Sequence, residues 1–181
     1  SQTDTTLTVT GPTTLTVDST GGESTGGSGV SGSAFGMDLG YSSRTSLEAV
    51  KATVTTVGGN VTGMVSAGTN LYTAAYAYGV EAAQADLATG AASFTVTAQG
   101  GTVSGSATSA EVRAGGVGAH GGTTAIGGDL ALTITAAGGT VAGSGELASA
   151  FADAYGVYIE NPGYDYPGSL TVNGTITGSV M

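Results

Sequence analysis

Two interleaved series of short motifs recur along this chain with one period, and that shared period constrains the fold more than any single residue does. The first series alternates apolar residues with Thr and closes on a glycine pair: Leu15-Thr16-Val17 runs to Gly21-Gly22, Val54-Thr55-Thr56-Val57 to Gly58-Gly59, Phe94-Thr95-Val96-Thr97 to Gly100-Gly101, and Leu132-Thr133-Ile134-Thr135 to Gly138-Gly139. The pairs stand 37, 42 and 38 residues apart. Three of them lead into a near-identical second piece: Asn60-Val61-Thr62-Gly63, Thr102-Val103-Ser104-Gly105 and Thr140-Val141-Ala142-Gly143. The second series is an Ala and aromatic alternation ending in Gly: Ala34-Phe35-Gly36-Met37, Ala77-Tyr78-Gly79-Val80 and Ala154-Tyr155-Gly156-Val157, with Ala114-Gly115-Gly116-Val117 as its reduced form. Its glycines, 36, 79, 116 and 156, step by 43, 37 and 40. A compressed fifth copy, Leu170 to Gly178, reads as the first two strand pieces of another unit.

A period of roughly 39 residues marks a repeat architecture in which each unit buries its apolar face against its neighbours. Strict apolar/Thr alternation is the signature of a half-buried strand, and Gly pairs punctuate strands. Each unit therefore reads as strand, Gly turn, strand, a longer small-residue strand carrying Tyr or Phe, and a variable polar connection. The expectation is an all-β single domain. Residues 13–51, 52–92, 93–130 and 131–169 form the repeats, with an N-terminal strand segment at 1–12 and a partial repeat at 170–181. Two pairings fit. Equivalent strands of successive units stacked in parallel make a short β-solenoid, whose narrow interior calls for small inward residues. Hairpins closed at the Gly pairs make an antiparallel sandwich or barrel.

Composition decides what chemistry is open. Gly, Thr, Ala and Ser fill 109 of 181 positions, which disfavours helix and suits pleated sheet. With no Cys, no Trp, one His and three basic residues, disulfides, thiolate metal sites and most catalytic constellations drop out. The expectation is a chain without enzymatic activity or a cofactor. Arg44, Lys51 and Arg113 against thirteen carboxylates exclude nucleic acid as a partner. No stretch approaches the ~20 apolar residues of a membrane helix. Net charge of −10 and a start at Ser1 suit a secreted, extracellular protein after leader removal.

The run Phe94-Thr95-Val96-Thr97-Ala98-Gln99-Gly100-Gly101-Thr102-Val103-Ser104-Gly105, with Ala77-Tyr78-Gly79-Val80 and its copies, resembles the repeats of bacterial autotransporter passenger domains and related surface adhesins. The resemblance is close over residues 52 to 178 and loose over 13 to 51. It implies a right-handed β-helix at the cell surface with a structural or adhesive role.

A chain poor in reactive groups and rich in sheet formers points to a structural subunit that assembles with itself. Thr6-Leu7-Thr8-Val9-Thr10 precedes the first full unit, and Leu170 to Val180 leaves the last one incomplete. Neither segment is protected by charge, so strand addition between the two is expected, through Leu7, Val9, Leu170, Val172, Ile176 and Val180. The alternative is an adhesin module holding surface glycans through Tyr164 and Tyr166 in the Pro-flanked loop. Tyr78 and Tyr155 read as repeated inward or stacking positions with hydroxyls at the rim. Asp153, Glu160 and Asp165 make a Ca²⁺ candidate, with solvated carboxylates as the plainer reading. His120 reads as an exposed loop residue. The Thr95, Thr97, Thr133 and Thr135 ladder reads as the outer side of half-buried strands, or as a flat ice-binding face. Asn60 and Asn173 match the N-glycosylation acceptor.

Overall fold

The computed structural model describes residues 5–25, 29–40, 43–63, 71–105, 108–143, 149–160 and 168–181. Fifteen strands follow in chain order: β1 (Thr5–Thr20), β2 (Glu23–Thr25), β3 (Gly29–Leu39), β4 (Ser43–Val57), β5 (Asn60–Gly63), β6 (Leu71–Ala83), β7 (Asp86–Gln99), β8 (Thr102–Gly105), β9 (Thr108–His120), β10 (Gly122–Ile126), β11 (Leu130–Ala137), β12 (Thr140–Gly143), β13 (Ser149–Glu160), β14 (Gly168–Val172) and β15 (Ile176–Val180). Every pairing is parallel, and the strands sort into three sheets. The first sheet stacks β1, β4, β7, then β10 with β11, then β14 with β15; the second stacks β2, β5, β8 and β12; the third stacks β3, β6, β9 and β13. The protein is a β-solenoid.

The motif spacings are the register between rungs. Val61 pairs Val103 and Val103 pairs Val141 in the second sheet, while Phe35 pairs Tyr78, Tyr78 pairs Gly115 and Gly115 lies beside Tyr155 in the third. Hairpins at the Gly pairs are ruled out on two grounds. The strands they join lie in different sheets, and among the described residues positive φ is confined to Gly11, Gln84, Gly121 and Gly122, whereas two-residue hairpin turns require it. The pairs are corners that stack. The amide of Gly21 donates to Val57 O, that of Gly58 to Gln99 O and that of Gly100 to Ala137 O, each at 2.8 Å. Thr73 Oγ1 braces the same corner by donating to Gly59 O at 3.0 Å. The positive-φ residues Gln84, Gly121 and Gly122 serve the opposite corner, where the third sheet returns to the first.

Inward residues form columns along the axis. Val54, Val96 and Ile134 make one, and Ala52, Phe94 and Leu132 the next, all buried. Facing them across the narrow core, Gly36, Gly79, Gly116 and Gly156 of the third sheet make room. A methyl placed on Gly79 would come 2.7 Å from the Phe94 ring, and one on Gly116 2.8 Å from Leu132. Gly79, Gly116 and Gly156 thus each match a large residue contributed by the first sheet, Phe94 or Leu132. Rungs of a parallel sheet sit about 4.8 Å apart, so a side chain lost or gained at one level is felt at the next.

The first sheet is longer than the Thr alternation suggests, because it is bent. The stretches before the alternating pieces, such as Asp86 to Gly90 in β7, read as polar connections in the sequence but are strand. At the bend the inward phase slips: Leu87 and Thr89 point in, then Ala92, Phe94, Val96 and Ala98. In β1 the slip falls between Val9 and Pro12, at the positive-φ Gly11. Two carboxylates clamp neighbouring rungs, one at each end of the pre-bend half: Asp86 Oδ1, at the start of β7, accepts from the Thr123 amide at 3.0 Å, and Asp129 Oδ1, at the bend, from the Thr175 amide at 2.9 Å. Two expectations change accordingly. Leu170 to Gly178 carries the two halves of one bent first-sheet strand, pairing β10 and β11, instead of pieces of two successive sheets. The Thr6 to Thr10 segment is the pre-bend half of the first rung, paired with Arg44 to Leu47 and continuous with the alternating half.

Candidate functional site

Among the described residues, the open edges of the first sheet and a tyrosine-lined hollow on the third have geometry that could do work.

Among the described residues, at one end of the first sheet β1 pairs only β4, and at the other β14 and β15 pair only β10 and β11. The self-assembly residues lie on these two outermost rungs, in shared inward columns. Leu7 stands in line with Thr45, Leu87, Thr124 and Leu170, and Val9 with Leu47, Thr89, Ile126 and Val172. Past the bend, Thr13, Val50, Ala92, Leu130 and Ile176 share a column, as do Val17, Val54, Val96, Ile134 and Val180. The middle members are mostly buried, whereas Leu7 keeps 53% of its surface exposed, Ile176 57% and Val180 50%. Val9, Leu170 and Val172 are half-buried. Inward columns of Leu, Val, Ile, Ala and Thr that run along the axis stop at each end against solvent.

On the outer side of the third sheet, column by column, lie Phe35, Tyr78, Gly115 and Tyr155; then Ser33, Tyr76, Arg113 and Asp153; then Asp38, Glu81, Gly118 and Tyr158. β9 contributes glycine to two of these columns. Phe35 stacks on Tyr78 with centroids 5.4 Å apart. Tyr78 and Tyr155 stand two rungs apart yet their rings meet at 6.1 Å, because Gly115 between them has no side chain. Tyr155 in turn tilts against Tyr158 at 5.3 Å. The Arg113 guanidinium is pinned by Glu111, Nε to Oε1 at 2.8 Å. Together Tyr78, Glu81, Arg113, Asp153, Ala154, Tyr155 and Tyr158 line a hollow of about 650 Å³.

The electrostatics follow from this packing. Burial raises the Tyr78 and Tyr155 phenols; Tyr155 is raised further by its hydrogen bond to Tyr78. Burial and then Glu111 raise Tyr76. Burial opposes the charge on Arg113, but Glu111, the nearby tyrosines and Asp153 outweigh it and hold the guanidinium pKa above its ordinary value. The hollow therefore holds neutral phenols beside fixed charges of both signs.

Comparison with known protein families, curated proteins and solved structures finds no match.

The remaining candidates disperse. Tyr164, Tyr166 and Asp165 lie outside the described residues. Asp153 sits beside Arg113 in the neighbouring rung, with Glu160 at the far end of the same strand, and among the described residues no group of three or more acidic or His side chains could hold a metal. His120 closes strand β9 instead of lying in a loop. Tyr78 and Tyr155 face outward, as the stacking alternative has it. Thr16, Thr53, Thr95 and Thr133 do form one outward column. Asn60 opens β5 and Asn173 sits in the bend between β14 and β15; both are exposed. The hollow went unread because its parts are one or two periods apart. Laying the units over one another on their third-landmark glycines puts Tyr78, Gly115 and Tyr155 in one column.

Proposed function

We propose that this protein is a secreted structural subunit that assembles head to tail, by edge-to-edge strand addition, into an extracellular filament, matrix or surface layer. The observation that carries it is the pair of open parallel edges on the first sheet, four rungs apart and in one column register. A parallel solenoid presents opposite hydrogen-bonding edges at its two ends, so the first rung of one copy complements the last rung of another. Continuing the columns seats Leu7 on Leu170, Val9 on Val172, Thr13 on Ile176, Leu15 on Gly178 and Val17 on Val180. Leu15 then falls beside Gly178 and Ile176 beside Thr13, while Leu7 meets Leu170 as apolar residues of neighbouring rungs meet in the interior. β1 does this while still paired to β4, so no strand has to be released. Such a contact is heterologous and does not close on itself, which yields an open fibre. The excess of carboxylates keeps the lateral faces apart and suits an extracellular setting.

The test places charge on one edge. Wild-type protein concentrated at neutral pH should form filaments visible by negative-stain microscopy and a rising mass in sedimentation. Ile176→Lys combined with Val180→Lys should remain monomeric with an unchanged circular dichroism spectrum. A wild-type protein that stays monomeric at high concentration, or a lysine variant that still forms the same filaments, overturns the proposal.

A further inference from the structure

We propose that the hollow on the third face is a binding site for a neutral saccharide, independent of assembly. Three features of the site converge on that ligand class. The first is its shape. β9 places Gly118 in the column where the flanking rungs carry Glu81 and Tyr158, so that rung adds no side chain between them, while the Tyr78 and Tyr155 rings meet over Gly115 and form one wall. The resulting hollow, about 650 Å³, lies within the range typical of small-molecule sites and has room for one or two sugar rings.

The second feature is its surface chemistry. A hexose has an apolar C–H face and a rim of hydroxyls that both donate and accept. Tyr78, Tyr155 and Tyr158 supply ring surface for the first, Tyr158 with 41% of its area exposed. Asp153 and Glu81 accept from hydroxyls and Arg113 donates to them. Because the contact to Glu111 already pins Arg113, little side-chain freedom is lost on binding.

The third feature is the balance of charge. Arg113 is outnumbered by Glu81 and Asp153 in the lining and is paired with Glu111 behind it, so a uronate, sialylated or sulfated glycan meets net negative charge. A cationic ligand meets the guanidinium itself. A neutral polyol surface satisfies both signs without carrying either.

The experiment is an array of neutral and acidic oligosaccharides, followed by isothermal titration with the strongest neutral one. Wild-type protein should bind neutral hexose-containing glycans. Tyr158→Ala and Asp153→Ala should each weaken that binding at least tenfold with the circular dichroism spectrum unchanged. Tyr72→Ala, exposed on the same face but outside the hollow, should leave affinity within a factor of two. The double lysine variant of the first-sheet edge should bind as wild type, which separates this site from assembly. No binding to any neutral saccharide, binding confined to acidic glycans, or an equal loss from Tyr72→Ala and Tyr158→Ala overturns the assignment.

Discussion

The coil formed by β7, β8 and β9 contains two glycine pairs that look alike in sequence and behave differently in space. Gly100-Gly101 recurs in every unit, and what crowds Gly101 is backbone: a methyl there would overlap Gly59 O and lie 2.6 Å from the Gly58 carbonyl. Gly115 of Gly115-Gly116 does not recur; its column otherwise carries Phe35, Tyr78 and Tyr155. What crowds it is side chain, the Tyr155 ring on one side and Tyr78 Cδ1 at 2.8 Å on the other. Gly101 answers to the stacked main chain, and Gly115 to a space that neighbouring side chains have claimed.

Substitution should therefore separate the two by size and by kind. Gly101→Ala sets a methyl against main chain that cannot rotate away, and neighbouring corners are tied through the Gly58 and Gly100 amides. The expected loss is about 3 kcal/mol or more, seen in denaturant unfolding followed by circular dichroism. Because coils in a solenoid hold only their neighbours, the transition should also broaden. A loss below about 1 kcal/mol would show that the corner yields more easily than its hydrogen bonds imply. Gly115→Ala asks only that two rings tilt apart. It should cost about 1 kcal/mol, leave the strand signal intact, and weaken saccharide binding by displacing the Tyr78 and Tyr155 rings that line the hollow.

The same contrast explains what the amino-acid sequence makes legible. The period and the three strand pieces per unit were legible, because a parallel stack repeats its demands at each rung; the spacing of Gly58-Gly59 from Gly100-Gly101 becomes the register only once the stacking is known to be parallel. Parallel against antiparallel stayed open, since a Gly pair serves a tight corner as well as a hairpin; only φ and the partners of the Gly21 and Gly58 amides decide it. The pre-bend halves were hidden by the bulge, which shifts the inward phase between Thr89 and Ala92 and breaks the alternation. The hollow was hidden for the opposite reason. It is built from what does not repeat: Arg113 where the unit before has Tyr76, and glycine where it has Tyr78.

The gentlest test of the comparison uses alkaline pH, where the third face should respond and the first should not. Tyr76, Tyr78 and Tyr155 have raised pKa values, burial being the leading cause in each. In the unfolded chain these phenols ionise near their ordinary pKa of about 10. In the folded chain they hold their protons to higher pH. Below about pH 10 both states are protonated and the contribution of these groups to stability is constant. Above it the unfolded state releases protons that the folded state keeps, so stability falls as pH rises through the folded values. Unfolding midpoints measured between neutral pH and pH 11 should be flat and then decline, and phenolate absorbance should show a late-titrating subset of the eight tyrosines. Tyr155→Phe removes the hydroxyl that donates to Tyr78 while keeping the ring between Tyr78 and Tyr158. It should lower stability at neutral pH only slightly, make the alkaline decline shallower and shrink the late-titrating subset. If Tyr155→Phe leaves the alkaline profile unchanged, the ring contact across Gly115 does not enclose these phenols, and the space above Gly115 is open to water instead of claimed by its neighbours.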